Sequence, residues 1–317
     1  MTPSLPARLA ALARRQPALL ALLLICLFAA LRYDSFATPR NLFNVLRQNS
    51  MAGLMALGML FAMLSGGIDL SAGAMLAVGA VTAAALSPYG AAAAMVGALV
   101  ATAALGAVNG LVIARAGVQP FIATLVMNMA SRGVLLFLTA EESVRVARSA
   151  AGFKWLARGW LGPVPVPVLL FLAAFAAAGV VLASTRFGRR VRALGDNDEA
   201  ARLMGLNVDG IRVGVYAVSA ALAGLGGALL AARLGVGQPT AGLGWELGAI
   251  TAVILGSTAL AGGQGGAAST LVGVLLLAVV FNLFNLEGGI SSAWQGVLRG
   301  AFLLVVVVVQ TRVARRG

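Results

Sequence analysis

The sequence predicts an all-α, polytopic membrane protein of about ten transmembrane helices, and three observations carry that prediction. Of 317 residues, 60% are hydrophobic and only 10% are charged, with a mean hydropathy of +0.96. Soluble domains carry roughly 25% charged residues and about 45–50% apolar ones, so too few polar side chains remain here to cover a water-facing surface. The apolar residues come in unbroken runs such as AFLLVVVVVQ (301–310), whereas strands of a membrane barrel alternate apolar and polar positions. A helix needs about 20 apolar residues to cross a bilayer, so ten spans use roughly 200 positions, which this composition supplies.

In chain order, the first span is expected at 18–31. Arg8, Arg14 and Arg15 precede it in the layout of a signal peptide, but no A-x-A cleavage site follows, so it reads as an uncleaved helix that starts in the cytoplasm. The stretch RNLFNVLRQ (40–48) reads as a short amphipathic helix lying in the interface. Further spans are expected at 51–64, 71–86, 91–113, 121–140, 164–183, 213–234, 247–260, 267–286 and 294–310. An even number of spans puts both termini on one side, and Arg312, Arg315 and Arg316 match the N-terminal arginines. On this threading 13 of the 23 Lys and Arg lie in cytoplasmic segments and seven in outer loops, while Arg132, Arg233 and Arg299 lie in spans. That bias orients the chain with its termini in the cytoplasm. The outer segments 32–48 and 141–161 hold the exceptions.

Two expected spans, 51–64 and 247–260, are short for a bilayer, and both end in glycine-rich breaks, SGGIDLSAG (65–73) and AGGQGGAAS (261–269). Aligning Gly66-Gly67 with Gly262-Gly263 gives each half of the chain the same order: a short helix, a glycine break and a small-residue helix. An internal duplication is the implication, and interrupted helices at matching places point to the path of a membrane carrier. Two tight loops with small-residue packing give the same pattern.

Absences remove most chemistry. The chain has no His, one Cys (Cys26) and one Lys (Lys154), which excludes a His/Cys metal cluster, a Ser-His-Asp triad, a disulfide framework and a CxxC pair. Lys154 sits in AGFKWL, not after a glycine loop, so there is no phosphate loop for ATP. The net charge of +13 comes in short pieces between apolar runs, the pattern of membrane orientation rather than of nucleic-acid binding.

The longest cytoplasmic loop is expected at 184–212, STRFGRRVRALGDNDEAARLMGLNVDGIR, with six Arg and four acids. Asp196 with Glu199 three residues later reads as a capping box, and Gly205 is placed to end the helix. Asp198 and Glu199 in the first turn suit the helix dipole. Ala200, Leu203 and Met204 fall on one face. Two partners fit that face: the protein's own helix ends, which spacing alone favours, or a groove on a separate cytoplasmic subunit.

This loop resembles the coupling segment of ABC-importer permeases, in the group that carries ribose, xylose, other monosaccharides and the sugar derivative autoinducer-2. The resemblance spans about 36–309, through FATPRNLFNVLRQNS (36–50), SGGIDLSAGA (65–74), NGLVIARAGVQPFIATL (109–125), ALGDNDEAARLMGLNV (193–208) and ARLGVGQPTAGLGWELGAITAVILGSTALAGGQG (232–265). It implies a single permease domain over 1–317 with a coupling loop at 184–212. In that loop Gly195, Asp196, Asp198, Glu199, Ala200, Ala201, Arg202, Leu203, Met204 and Gly205 would sit in a cleft of an ATP-hydrolysing subunit. The resemblance thereby reverses the self-packing preference. Asp196 stands where the family often has Asn or Gly. Also implied are a second permease copy, identical or related, a periplasmic solute-binding protein, and ATP with Mg on the partner ATPase, this chain binding no cofactor.

Asp69 in GGIDLS is an intramembrane acid and so a functional suspect; capping the helix from Leu70 or pairing with an Arg are its two structural readings. Glu246 reads as starting the helix at Leu247. A path for a neutral sugar should offer amides and an aromatic face rather than charge. Asn49, Asn109, Asn128, Phe281, Asn282, Asn285 and Gln295 are the candidates beside Asp69, each equally able to bond a neighbouring helix. An ion-coupled secondary transporter is the alternative; the missing His and scarce membrane carboxylates speak against proton coupling.

Overall fold

The computed structural model describes residues 17–256, 258, 262–288, and 294, 297, 300, 301 and 304. Its helices are α1 (Pro17–Arg32), α2 (Pro39–Leu64), α3 (Ala72–Leu86), α4 (Ala91–Arg115), α5 (Pro120–Thr139), α6 (Ala151–Arg158), α7 (Val166–Ser184), α8 (Arg186–Asp196), α9 (Asp198–Leu203), α10 (Val208–Leu234), α11 (Trp245–Leu255) and α12 (Ala267–Glu287). Six of them, α3 with its 3-10 extension, α4, α5, α7, α10 and α12, are long and apolar enough to cross a membrane. The polytopic all-α class therefore holds. Among the described residues nine of the ten expected spans coincide with a helix. The tenth, 294–310, lies largely outside the described residues, as do Gln295, Arg299 and the arginines of both termini.

Two expectations change at the start of the bundle. The interfacial helix at 40–48 and the short span at 51–64 are one continuous helix, α2, of 26 residues. At 1.5 Å per residue it is about 39 Å long, so the first span is not short. Thr38 caps it, its Oγ1 accepting from the Asn41 amide at 3.3 Å, with Pro39 at the first position. The polar stretch in its middle does not break it, because Asn49 donates to the Val45 carbonyl and Ser50 to the Leu46 carbonyl, each at 2.8 Å. Their polar groups are absorbed by the preceding turn. α11 has only 11 residues and does remain a short element.

The end of the bundle opposite α8 and α9 is closed by structure that apolar periodicity alone does not predict. Two-residue strands pair Val144–Arg145 with Val236–Gly237 and Trp160–Leu161 with Val164–Pro165. Between them α6 buries Phe153 and Ala157.

α10 is the central helix. It packs against α4, α3 and α2, and small residues set how close these backbones come. A Cβ on Gly58 of α2 would lie 2.6 Å from the Ser219 carbonyl oxygen, and one on Gly227 would overlap the carbonyl of Leu76 in α3. Such contacts suit a bilayer, where apolar side chains gain little by leaving lipid and dispersion at close range decides.

Gly227→Val should therefore force α3 and α10 apart. Overpacking costs about 1–3 kcal/mol, seen as a lower Tm in detergent. Gly133→Val on α5, where nothing lies within 4 Å of the new Cβ, should leave the Tm near that of the parent.

Candidate functional site

The expected site residues separate into three places. The first is a cavity of about 790 Å³ between α2, α11 and α12, within the roughly 300–1,000 Å³ of small-molecule sites. Of the residues expected along a path, Asn49, Phe281, Asn282 and Asn285 line it. The structure adds Asn41, Asn44 and Gln48 from α2, Trp245 from the start of α11, and Arg233. With α2 continuous, 41, 44, 48, 49 and 52 recur at helical spacing on one face; assigning 40–48 to the interface placed Asn41, Asn44 and Gln48 away from the path. Asn41 and Asn282 hold each other by reciprocal amide bonds at 3.0 Å. Arg47 donates to Asn44 Oδ1 at 3.1 Å, leaving the Asn44 amide nitrogen uncommitted to it. Among the described lining residues Arg233 is the only charged one. The wall thus offers amide donors and acceptors beside an indole and a phenyl ring.

The second place is a buried polar knot at the first glycine break. Asp69 is fully buried. One carboxylate oxygen accepts from the Ser71 amide at 3.0 Å and from its hydroxyl at 2.5 Å; the other accepts from Ser219 of α10 at 2.7 Å. Asn109 of α4 donates to the Ser71 hydroxyl at 3.0 Å. Thr124 of α5 accepts from the Leu70 amide at 3.1 Å, and Asn128 donates to the Leu70 carbonyl at 2.6 Å. Asp69, Asn109 and Asn128 therefore bond neighbouring segments rather than line the cavity. No arginine pairs with Asp69 among the described residues; nor does it cap a helix from Leu70, since α3 starts at Ala72 with Ser71 at its N-terminal cap position, and Asp69 instead binds the Ser71 amide in the turn before it. The knot ties the break to α4, α5 and α10 at once.

The third place is the Arg-rich end. The expected loop at 184–212 holds two helices, α8 and α9, rather than one. α8 is capped by Thr185, whose Oγ1 accepts from the Gly188 amide at 3.2 Å. Asp196 is the last residue of α8 and not a cap: Asn197 takes the extended conformation and its Oδ1 accepts from the Ala200 amide at 2.9 Å. The cap sits one residue later than expected, so Glu199 closes no capping box. Gly205 ends α9 as expected, at φ +76°. The Leu206 amide reaches the Ala201 carbonyl at 3.1 Å and the Gly205 amide the Arg202 carbonyl at 2.9 Å, the Schellman pattern. Arg212 bridges to Asp198 at 2.7 Å and Arg202 to Asp209 at 3.2 Å. Ala201 faces inward, fully buried, whereas Leu203 and Met204 are 89% and 68% exposed. The apolar face finds no partner in the described chain, against the self-packing that spacing favoured.

Gly195 of α8 lies on both glycine breaks. The Gly263 amide donates to the Leu64 carbonyl at 3.0 Å, and a Cβ on Gly195 would overlap that same carbonyl oxygen and lie 2.5 Å from the Gly263 nitrogen. Gly66, Gly262 and Gly263 all have positive φ, which L side chains rarely tolerate. The two breaks that align in sequence thus touch in space, and the segment preceding α9 is what they touch through.

Comparison with known proteins adds to this geometry. A family model described as branched-chain amino acid transport system / permease component matches residues 41–307. The ribose import permease protein of Escherichia coli strain K12 is 42% identical, over 94% of this chain and 94% of that protein. The ribose import permease protein of Bacillus subtilis strain 168 is 38% identical, over 92% and 91%. The xylose transport system permease protein of Escherichia coli strain K12 is 31% identical, over 94% and 91%. No solved structure matches the chain.

The knot should dominate local stability. Asp69→Ala strands two buried hydroxyls and an amide, each worth about 1–3 kcal/mol when unsatisfied, so the Tm in detergent should fall steeply. Asp69→Asn keeps one oxygen acceptor and should fall less, and an Asp69→Ala protein as stable as the parent would show that the knot holds nothing.

Proposed function

This chain belongs to the branched-chain amino acid transport system / permease component family and is an import permease rather than an enzyme, and from that premise we propose that its cargo is a monosaccharide. The cavity carries this reading. Its described lining offers six amide side chains on α2 and α12 with Trp245 and Phe281 beside them, and no carboxylate. A branched-chain amino acid would ask for an anion to meet its ammonium group and an apolar pocket for its side chain. A sugar asks for paired donors and acceptors and an aromatic face. The names of the relatives, ribose and xylose permeases, agree with the wall.

The chain is a single permease domain that works in an ATP-driven importer of the bacterial inner membrane, with both termini in the cytoplasm. A second permease copy completes the path, a periplasmic solute-binding protein delivers the sugar, and a cytoplasmic ATPase holds ATP and Mg. α9 docks in that ATPase through Leu203 and Met204, an exposed apolar pair on an otherwise charged surface that nothing in the described chain covers. The Asn197 cap, the Gly205 stop and the two arginine bridges hold α9 in shape before docking. Cycles of ATP binding and hydrolysis switch the path between its two openings, the protein making no covalent bond to its cargo.

In proteoliposomes holding the permease, its ATPase and its binding protein, labelled ribose or xylose should enter only with ATP, and collapsing the proton gradient should not slow it. Arrest on collapse would identify an ion-coupled carrier, and uptake of leucine in place of sugar would overturn the cargo. Leu203→Asp should reduce association with the ATPase at least tenfold in co-purification while membrane insertion is unchanged; undiminished association would place the docking face elsewhere.

A further inference from the structure

α11 is a helix of 11 residues, about 16 Å at 1.5 Å per residue, and it forms one wall of the cavity through Trp245, Leu247, Gly248 and Thr251. The described residues before it, 235–244, and after it, 256, 258 and 262–266, are not helical. An arginine from a different helix grips each flanking segment by backbone carbonyls. On the entering side, Arg132 of α5 places Nη1 3.3 Å from the Pro239 and the Ala241 carbonyl oxygens. On the leaving side, Arg192 of α8 places Nη1 2.8 Å from the Gly265 and 3.5 Å from the Gly263 carbonyl oxygen. Hydrogen bonds from a charged donor are roughly twice as strong as neutral ones, and here they reach backbone, so they move chain rather than a side chain.

The two grips differ in what holds the arginine. α5 is an apolar helix of 20 residues, and Arg132 sits in its middle. α8 is an Arg-rich helix that buries only Gly188, Val191 and Leu194, lies one residue from α9, and bears on the breaks through Gly195. A shift of α9 therefore reaches Arg192 within one short helix and reaches α11 through the carbonyls that Arg192 holds. The other exit from α9 leads through Arg202–Asp209 and Arg212–Asp198 to the start of α10. Arg202–Asp209 is close to half exposed on both sides, and such pairs contribute little; Arg212–Asp198 is partly buried, with Arg212 21% exposed, and ties α9 to α10 itself. α10 is also packed against α2, α3 and α4 and has little room to move.

We propose that Arg192 is the positioning residue that carries motion of the ATPase-docking helix into the cavity wall, pulling the trailing end of α11 while Arg132 holds its leading end as a pivot. This rests on the reading of α9 as the ATPase dock. The donors of Arg192 carry the force, so length and charge at this position matter and its apolar stem does not.

The test uses the full transporter with its ATPase, in a Cys26→Ser background, with nitroxide labels at Gly248→Cys on α11 and Gln48→Cys across the cavity. The distance between the labels is compared without nucleotide and after trapping with ATP and vanadate. With Arg192 present the distance should change on trapping. Arg192→Met, which keeps the stem and removes the donors, should cut that change at least by half, and Arg192→Lys should retain most of it. An Arg192→Met transporter whose labels move as far as the parent's overturns the proposal. So does a parent whose ATPase associates and hydrolyses ATP while the labels stay fixed. Absence of any ATPase association in the parent instead overturns the docking reading on which the proposal rests. Should Arg192→Met alone lose the ATPase, Arg192→Gln with Arg192→Lys decides: a change kept by Lys and lost by Gln supports the grip, and a change kept by both overturns it.

Discussion

The hydrogen bond from the Gly263 amide to the Leu64 carbonyl joins the two helix breaks, and the rest of the working end depends on it. Breaks inside an apolar bundle release backbone groups that lipid cannot satisfy. Here one break supplies the acceptor and the other the donor. The contact requires backbone conformations with positive φ at Gly66, Gly262 and Gly263 and no side chain at Gly195. Glycine is therefore needed for space at one point and for dihedral freedom at the others. Because α2 ends in this contact, α11 leads into it and α8 ends on it, three segments far apart in sequence share one junction.

Polar groups within the bundle follow two rules. Those in the Asp69 knot are committed: the carboxylate accepts three bonds, and Asn109, Thr124 and Asn128 close the surrounding ones. A satisfied network of this kind fixes one arrangement and has little to offer a solute. The amides of α2 and α12 face a cavity instead, and Asn41 with Asn282 bond each other there in a way a hydroxyl-rich solute can replace. Both sets are amides and hydroxyls in apolar surroundings, so composition does not separate them.

That is why the fold was more legible in the sequence than the site. Long apolar runs place nine helices among the described residues, because burial in lipid needs only hydropathy. The boundaries that failed did so where local bonding overrode composition. Asn49 and Ser50 looked like a gap between an interfacial helix and a span, yet both bond back into their own helix. Asp196 and Asn197 are both good caps, and the backbone turns at the second. The two short helices at 186–203 lie in a loop that the motif marked out, whereas Arg192, Arg132 and Ser219 act on residues between 71 and 150 positions away. No spacing rule announces a partner at that distance.

Helix α9, which we propose docks in the ATPase, leaves part of its stabilisation to a partner. Six residues make a helix that is marginal in water, and ion pairs at 41–48% side-chain exposure add little to it. Its shape is held instead by bonds that use the backbone: the Asn197 cap at one end and the paired Gly205 and Leu206 amides at the other. Ordering it in advance lowers the entropy lost on docking, while Leu203 and Met204 stay in water until a partner covers them. Burying a Leu and a Met fully is worth about 1.5–3 kcal/mol each. On the proposed docking, that is too little for a permanent joint by itself and enough to seat a helix whose ends are already fixed.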